Sequence, residues 1–277
     1  MCGFKSNRFI LLIIAAGVPV FCQSQVVLQA QRKHKVMVIA HRGDHSKAPE
    51  NTLAAYQAAI DDGADFIEID LRQTRDSQLV IMHNENINKM TGFDMDVTDL
   101  LFDSLRLKKV RDAFYTEYGL HKIPILKEVL ELCKGKINIY LNFLEADVAE
   151  TFKEIFDAGM QDHVVVYINE THQYNEWKTI APMMPLIISL PEKINTALAM
   201  QDIFNILTVD ILNGDPSNFS AEKIAWAKEK HIPVWADVQA DKEDAGIWNG
   251  ALLMGFTGLK TNYPKQLINF LKEKGLR

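Results

Sequence analysis

Short apolar runs rich in β-branched residues alternate with helical patterns along most of this chain, and this alternation constrains the fold more than any other feature. The runs lie at 35–40, 65–70, 137–143, 163–168, 184–190, 206–212, 232–238 and 257–262. Helical patterns lie between most of them, at 51–60, 146–158, 176–180, 194–204, 221–230, 242–254 and 264–274. Continuous apolar strands are typical of a parallel sheet that is buried on both faces. The pattern therefore predicts an α/β fold, the closed (β/α)8 TIM barrel.

One interval breaks this alternation. Residues 71–136, between the second and third strands, are too many for a single crossover helix. They contain a strand-like run at 79–83, a turn-rich stretch at 91–96 and a helical pattern at 126–134. Long insertions of this kind often contribute to a substrate site. The sequence thus predicts an insertion between the second and third barrel strands.

The N-terminus has the layout of a secretory signal. Lys5 and Arg8 precede an apolar run at 9–21, and a polar stretch follows from Gln23. The run is shorter than the roughly 20 residues that a membrane-spanning helix needs. Residues 1–24 are therefore predicted to be a signal peptide, and the protein to be exported, either periplasmic or secreted.

Cleavage is expected just before Gln25, because Cys22 and Ser24 are small residues at the positions that signal peptidase inspects. An acylated Cys22 is the alternative, but the bulky Phe21 before it disfavours lipidation. We therefore expect a barrel domain at 25–277 with no stable membrane anchor.

Charge and cysteine content narrow the classes further. A formal net charge of −6 argues against an extended positive surface, so we expect no nucleic-acid partner. After cleavage Cys133 is the remaining cysteine, and it lies in an apolar helical pattern. It is expected to be a buried, inert thiol.

Polar residues stand where the first two strands end, which is where barrel enzymes carry their active sites. His41 and Arg42 follow the first strand, and Glu68 and Asp70 lie on one side of the second strand. His83 follows the short run after it. Paired carboxylates suit Ca²⁺ or Mg²⁺, and two histidines suit acid–base cleavage near neutral pH.

Each of these features is weak alone, since a strand-end histidine is more often structural and Arg42 can pair with Glu50. The combined pattern at 41–84 is specific: HRG, PENT, GADFIEID, TRD and LVIMHN. It resembles the glycerophosphodiester phosphodiesterase family, whose pattern is HRG, PENT, GAD-x-x-E-x-D, T-x-D and V-x-x-H-D. Weaker matches follow in IP-x-L at 123–126, VW at 234–235 and T-x-x-P at 261–264.

The resemblance implies roles for these residues. His41 and His83 match the acid–base pair, Glu68 and Asp70 match metal ligands, and Arg42 matches an arginine that contacts phosphate. It implies a small-molecule phosphodiester substrate and a divalent cofactor, Ca²⁺ or Mg²⁺. In the family, a glycerol hydroxyl is thought to attack phosphorus, and water then opens the cyclic product.

The third strand departs from the family pattern, which has Glu-x-Lys or Asp-x-Lys there. Asn142 stands at the metal-ligand position, where its carbonyl oxygen is still a ligand for Ca²⁺. Leu144 stands at the lysine position and offers no charge to a phosphate. Glu145 has the wrong strand parity for a direct replacement.

Other positions near the predicted site remain open. Asn262 replaces the Asp of the family's T-D-x-P, and Lys260 or Lys122 is a candidate for the missing cation. Trp235 ends the seventh strand and is expected either to bind substrate or to pack. Tyr140 is expected to pack in the barrel.

The expected function is that of a metal-dependent phosphodiesterase that hydrolyses glycerophosphodiesters derived from phospholipids. A sphingomyelinase D-type enzyme with the same barrel is a close enzymatic alternative. The alternative from another class is an inactive barrel that binds a phosphorylated or polyol ligand, because Asn142 and Leu144 remove two charged groups from the family pattern. Metal-dependent turnover separates the two classes.

Overall fold

The structure is a computed structural model that describes residues 33–110, 119–191, 194 and 196–277. Eight parallel strands close into a barrel, because each pairs with the next in the chain and β8 pairs with β1. The strands are β1 (Met37–Ala40), β2 (Phe66–Gln73), β3 (Asn138–Glu145), β4 (Val164–Ile168), β5 (Leu186–Ser189), β6 (Ile211–Gly214), β7 (Val234–Asp237) and β8 (Gly258–Thr261). The predicted barrel is confirmed. The predicted signal peptide lies outside the described residues.

Helices cover the outside of the barrel. They are α1 (Leu53–Asp62), α2 (Asn88–Thr91), α3 (Phe102–Arg106), α4 (Leu126–Cys133), α5 (Val148–Asp157), α6 (Thr171–Ile180), α7 (Ala197–Phe204), α8 (Ala221–Glu229), α9 (Ala245–Met254) and α10 (Pro264–Glu273). Side-chain oxygens of Thr, Ser or Asp accept backbone N–H groups at the starts of α1, α5, α7, α8 and α9, which satisfies donors that a helix leaves unpaired. None of the described helices is long and apolar enough to cross a membrane.

The sixth strand begins at Ile211, whereas the apolar run begins at residue 206. The N–H groups of Ile206 and Leu207 donate to Ile203 O, at 3.0 and 2.8 Å. These two residues therefore complete the end of α7 rather than start a strand.

The segment between β2 and β3 forms a small cluster of its own. The strand Leu79–Ile81 runs antiparallel to β2, and Lys109–Val110 pairs with His121–Lys122. One set of its apolar side chains packs together apart from the main core: Val80, Met82, Ile87, Met90, Val97, Leu100, Leu105, Val110 and Ile123. Others, such as Leu79, Ile81 and Leu126, join the main core. The segment thus builds a wall beside the carboxyl end of β2.

The main core lies between the strands and the outer helices, and it contains Cys133. Burial raises the pKa of the Cys133 thiol to about 12. Since the thiolate is the reactive form, this position supports the expectation of an inert cysteine.

Inside the barrel, alternate strand residues point inward and form layers. The lower layers are apolar and buried: Met37, Ile39, Phe66, Tyr140, Val165, Ile187, Ile211 and Trp235. The inward positions nearest the carboxyl ends are polar and are called the polar layer: Glu68, Asp70, Asn142, Tyr167, Ser189, Asn213, Asp237 and Lys260. This layer faces the end of the barrel where active sites are built.

Candidate active site

A tight turn at the end of β1 presents the first two candidate residues. The Gly43 N–H donates to Ala40 O at 3.2 Å. A Cβ on Gly43 would lie 2.7 Å from the carbonyl carbon of Ala55, so only glycine lets α1 approach this closely. Arg42 has a left-handed φ of 57°. The turn thereby directs His41 and Arg42 to the barrel mouth.

The hydrogen bond of His41 identifies which ring nitrogen is protonated. Its Nδ1 lies 2.7 Å from Asn262 Oδ1. The Asn262 amide has a fixed orientation, because its Nδ2 donates to Ala240 O at 3.1 Å. An amide oxygen only accepts, so Nδ1 carries the proton and Nε2 keeps its lone pair.

The His41 ring is held neutral by its surroundings. Burial, followed by the positive charges of Arg42 and Lys260, lowers its pKa well below the ordinary 6.5, against the smaller opposing effect of the Asn262 hydrogen bond. A neutral imidazole with a free Nε2 is the state that a general base requires.

Glu68 and Asp70 are buried side by side on β2. The Arg42 backbone N–H donates to Glu68 Oε2 at 3.0 Å. Burial and the nearby charge of Asp70 raise the pKa of Glu68 to about 8. A buried carboxyl group whose ionisation is opposed by a neighbouring carboxylate is a suitable environment for a divalent cation.

Asp70 is the centre of the hydrogen-bond network in this region. Its Oδ2 accepts from Asn51 Nδ2 at 2.8 Å, and its Oδ1 accepts from Asn142 Nδ2 at 2.7 Å. Arg42 Nε lies 3.2 Å from Asp70 Oδ2, and Arg42 Nη1 donates to Glu50 Oε1 at 3.0 Å. The guanidinium is therefore paired with carboxylates.

The carbonyl of Asn142, the predicted third metal ligand, points away from Asp70. Its Oδ1 accepts from Asn169 Nδ2 at 2.9 Å. No group of three or more His, Cys, Asp or Glu side chains within the described ranges is placed to hold a metal. The oxygen donors of Glu68, Asp70 and Asn142 still fit a hard ion that completes its shell with water and substrate, provided that the Asn142 amide turns over.

Three residues are candidate replacements for the acidic ligand and the lysine that β3 lacks, and they lie in different places. The side chain of Glu145 is 56% exposed and pairs with Arg72 at 3.3 Å, beside a bulge that leaves Leu144 without a partner in β2. Lys122 is exposed on the outer segment. Lys260 instead lies inside the barrel, with Nζ 2.9 Å from Asp237 Oδ1.

His83 lies at the edge of the same site. It lines a small cavity together with Glu50 and Asn51, which contact Arg42 and Asp70 respectively. Its carbonyl oxygen accepts from Arg72 Nε at 3.0 Å. The structure thus brings His83 next to the carboxylate network.

Each histidine has a neutral amide as its neighbour. His83 Nδ1 lies 2.7 Å from Asn84 Oδ1, as His41 Nδ1 does from Asn262 Oδ1. The family pattern has Asp at the positions of both Asn84 and Asn262, and the sequence shows both changes.

We call His41, Arg42, Glu68, Asp70, Asn142 and His83 the motif side of the site.

Trp235 lies one layer below the polar layer. It is fully buried, and its ring centroid is 5.1 Å from that of Phe66 and 6.2 Å from that of Tyr140. A Cβ on Gly258 would lie 2.4 Å from Trp235 Cδ1. This position fits packing better than contact with a substrate at the barrel mouth.

Several polar residues of the site were not predicted. Asp237 accepts from Asn213 Nδ2 at 2.9 Å, and the hydroxyls of Tyr167 and Ser189 lie 2.9 Å apart. Each stands two residues after an inward apolar residue, so strand alternation was the signal that could have located them.

The chain is a hydrolase of phosphoric diesters, as comparison with known proteins shows. The chain belongs to the glycerophosphoryl diester phosphodiesterase family, whose model matches residues 41–184. The match spans both histidines, both carboxylates and Asn142.

Relatives and solved structures agree with this family. The chain is 33% identical over 249 residues to the putative glycerophosphodiester phosphodiesterase YhdW of Bacillus subtilis, covering 86% of this chain and 99% of that protein. It is 28% identical over 252 residues to a glycerophosphodiester phosphodiesterase of Caldanaerobacter subterraneus, covering 87% and 100%. An Oleispira antarctica phosphodiesterase solved with the product sn-glycerol-3-phosphate shares the fold, with a TM-score of 0.72 at 21% identity over 88% and 99% of the chains.

Proposed function

We propose that this protein is a metal-dependent phosphodiesterase that hydrolyses glycerophosphodiesters derived from phospholipids to glycerol phosphate and an alcohol. The observation that carries the proposal is the neutral His41, with its free Nε2, on the same barrel face as the buried pair Glu68 and Asp70. Family membership and the glycerol phosphate complex of the Oleispira enzyme support the substrate class.

Glu68, Asp70 and Asn142 are the residues that would hold the divalent ion, Ca²⁺ or Mg²⁺. When bound, the ion supplies positive charge that stabilises the phosphoryl oxygens and screens the carboxylates from the anionic substrate. The family is generally dependent on a divalent ion. The raised pKa of Glu68, caused by burial and by the charge of Asp70, supports binding of a cation here.

The two histidines move the protons. His41 Nε2 takes the proton from a glycerol hydroxyl as that oxygen bonds to phosphorus. The bond from phosphorus to the alcohol breaks, and His83 donates a proton to the departing oxygen. Water then opens the cyclic phosphate with the proton transfers reversed, which leaves both histidines in their starting states.

Arg42 binds the phosphate in this proposal. Its guanidinium is paired with Asp70 and Glu50 in the metal-free protein. A cation on Asp70 would compete with that ion pair and release Arg42 for bidentate contact with phosphoryl oxygens.

The test is release of alcohol from glycerophosphocholine and glycerophosphoethanolamine with Ca²⁺, with Mg²⁺ and with a chelator. We expect turnover that the chelator abolishes. Turnover that persists in chelator contradicts the metal-dependent mechanism.

A second candidate function is that of a barrel that binds a phosphorylated or polyol ligand without turnover. The neutral Asn142 on the motif side and the uncharged Leu144 favour it. If no metal gives turnover, while sn-glycerol 3-phosphate still raises the melting temperature, this function replaces the first.

We also propose that the mature protein is exported and begins near Gln25, from the charge and apolar pattern of residues 1–24. Intact mass of the exported form tests this. A diacylated Cys22 would contradict the proposal.

A further inference from the structure

On the last three strands of the barrel, three polar-layer residues form a second group. Asn213, Asp237 and Lys260, on β6, β7 and β8, are called the lysine side. Asn213 Nδ2 donates to Asp237 Oδ2 at 2.9 Å, and Lys260 Nζ lies 2.9 Å from Asp237 Oδ1. The proposed proton transfers use none of these residues.

The Lys260 side chain reaches across the floor of the site. Lys260 leaves β8 one residue before Thr261, whose carbonyl accepts from the His41 N–H at 3.0 Å. Its Nζ nevertheless lies 5.1 Å from the ring centroid of Tyr140 on β3 and 5.9 Å from that of Tyr167 on β4. The ammonium group is therefore near the middle of the barrel.

This position is close to the proposed metal ligands. Tyr140, under the ammonium group, is the direct register partner of Glu68. Lys260 is largely buried, and its side chain is 11% exposed. The Lys260 ammonium group thus lies at the bottom of the site, whereas Arg42 lies at its rim.

Polar atoms around Lys260 lack hydrogen bonds within the described part of the chain. They are Tyr140 Oη, Asn213 Oδ1 and Asp237 Oδ1. The contact between Lys260 and Asp237 is therefore an ion pair without hydrogen-bond geometry. Because buried polar groups normally find partners, the Tyr140 hydroxyl, which can donate a hydrogen bond, points to an acceptor ligand or a water in the floor of the site.

Lys260 is charged at neutral pH. Burial alone lowers its pKa, but Asp237 and Glu68 more than offset that effect and raise the pKa above its ordinary value. Its charge in turn is one of the groups that lower the pKa of His41.

We propose that Lys260 binds the phosphoryl oxygens of the substrate from the floor of the site, opposite Arg42. Lys260 is then a substrate-binding residue supplied by β8, with Asp237 as the anion paired with it. The inference rests on the proposed function for its substrate class. It explains how a site with Leu144 on β3 still offers two cations to one phosphate.

The test is calorimetric binding of sn-glycerol 3-phosphate to the full chain, with Ca²⁺ and with chelator. Lys260→Met should weaken binding roughly 10- to 100-fold, the size of one charge-assisted hydrogen bond. Lys260→Arg keeps the charge and should retain much of the affinity. Lys223→Met is the matched control, because Lys223 is also buried but donates to Asn218 O.

Loss of the fold is separated from loss of the charge by a second variant. Lys260→Met/Asp237→Asn removes the ion pair together and leaves no buried charge unpaired. It should bind as weakly as Lys260→Met while keeping a cooperative melting transition. Glycerol, which has no phosphate, should give the same weak response in all variants.

Wild-type affinity in both Lys260→Met and Lys260→Met/Asp237→Asn, with both variants folded, would overturn the inference. Wild-type protein that binds no sn-glycerol 3-phosphate, either with Ca²⁺ or with chelator, would overturn it as well. If wild type binds it through Lys260 but cleaves no diester, the proposed function fails and the inference stands. If wild type cleaves the diester while Lys260→Met keeps its KM and its affinity, the inference fails and the function stands.

Discussion

The motif side and the lysine side of the barrel mouth are built differently. On the motif side, the central carboxylate of Asp70 accepts from two amides and pairs with the Arg42 guanidinium. On the lysine side, a buried ammonium pairs with Asp237, and the Asn213 carbonyl oxygen and the adjacent Tyr140 hydroxyl have no hydrogen bond among the described residues. The first arrangement is suited to hold a metal and move protons, and the second to receive a ligand.

The largest expected effect is on the motif side. His41→Ala and His83→Ala should each lower the rate on a glycerophosphodiester by about 10²- to 10⁴-fold, the usual contribution of a general acid or base. The melting temperature should change little, because neither histidine lies in the apolar core. Turnover and thermal unfolding are to be measured on the same samples.

His45→Ala is the matched control, since its ring centroid is 6.3 Å from that of His41 and it has no assigned role. Unchanged turnover in His41→Ala or His83→Ala removes that histidine from the mechanism. A large fall in melting temperature without a rate effect would mean a structural histidine.

The next effect concerns the metal. Glu68→Gln/Asp70→Asn should abolish calorimetric binding of Ca²⁺ or Mg²⁺, because it removes both anionic ligands. Asn142→Asp should tighten binding, because it adds a negative charge to the donor set. Asp237→Asn is a control that removes a carboxylate on the lysine side. Metal binding by the double variant that equals wild type would show that the ion binds elsewhere.

The ease of prediction also differs between the two sides. The contiguous stretch 41–84 contains both histidines and both carboxylates, so a local pattern sufficed to locate them. The lysine side comes from three consecutive strands, and Asn213 and Asp237, which are 24 residues apart in the chain, become neighbours when β6 and β7 pair. Strand alternation points them inward, but it does not say which layer they reach.

The orientations of individual side chains in the site could not be predicted from the sequence. Asn142 was expected to offer its oxygen to the metal, but its amide nitrogen donates to Asp70, and its oxygen faces Asn169. Trp235 was open to substrate contact, and the glycine opposite it on β8 lets the ring fill the interior. These outcomes depend on cross-strand neighbours that no linear pattern contains.

The pH dependence of turnover links the two sides. A general base must be unprotonated, so kcat/KM should fall as pH falls through the pKa of His41. Burial and the cations Arg42 and Lys260 lower that pKa, and the Asn262 hydrogen bond opposes them. The acid limb should therefore lie below pH 6.5.

Lys260→Met should move this limb to higher pH, because removal of a nearby cation eases protonation of His41. Lys223→Met should leave it in place. The measurement is kcat/KM against pH for wild type and both variants. A limb that moves to lower pH, or does not move in Lys260→Met, would contradict the predicted electrostatic contact between Lys260 and His41.

The smallest expected effect tests whether Asp237 positions Lys260 or competes with the phosphate for its ammonium group. Asp237 is the anion beside Lys260, and it competes with a phosphate for the ammonium group. Asp237→Asn keeps an oxygen for the amide of Asn213 and removes the competing charge. Affinity for sn-glycerol 3-phosphate should then rise about two- to fivefold, a modest gain because partly exposed charges are screened by solvent. Asp241→Asn, on the exposed loop beyond β7, is the control for net charge. Weaker binding in Asp237→Asn would contradict this prediction and would mean that Asp237 positions Lys260 more than it competes with the phosphate. Each side would then depend on a carboxylate that positions a cation, Asp70 for Arg42 and Asp237 for Lys260.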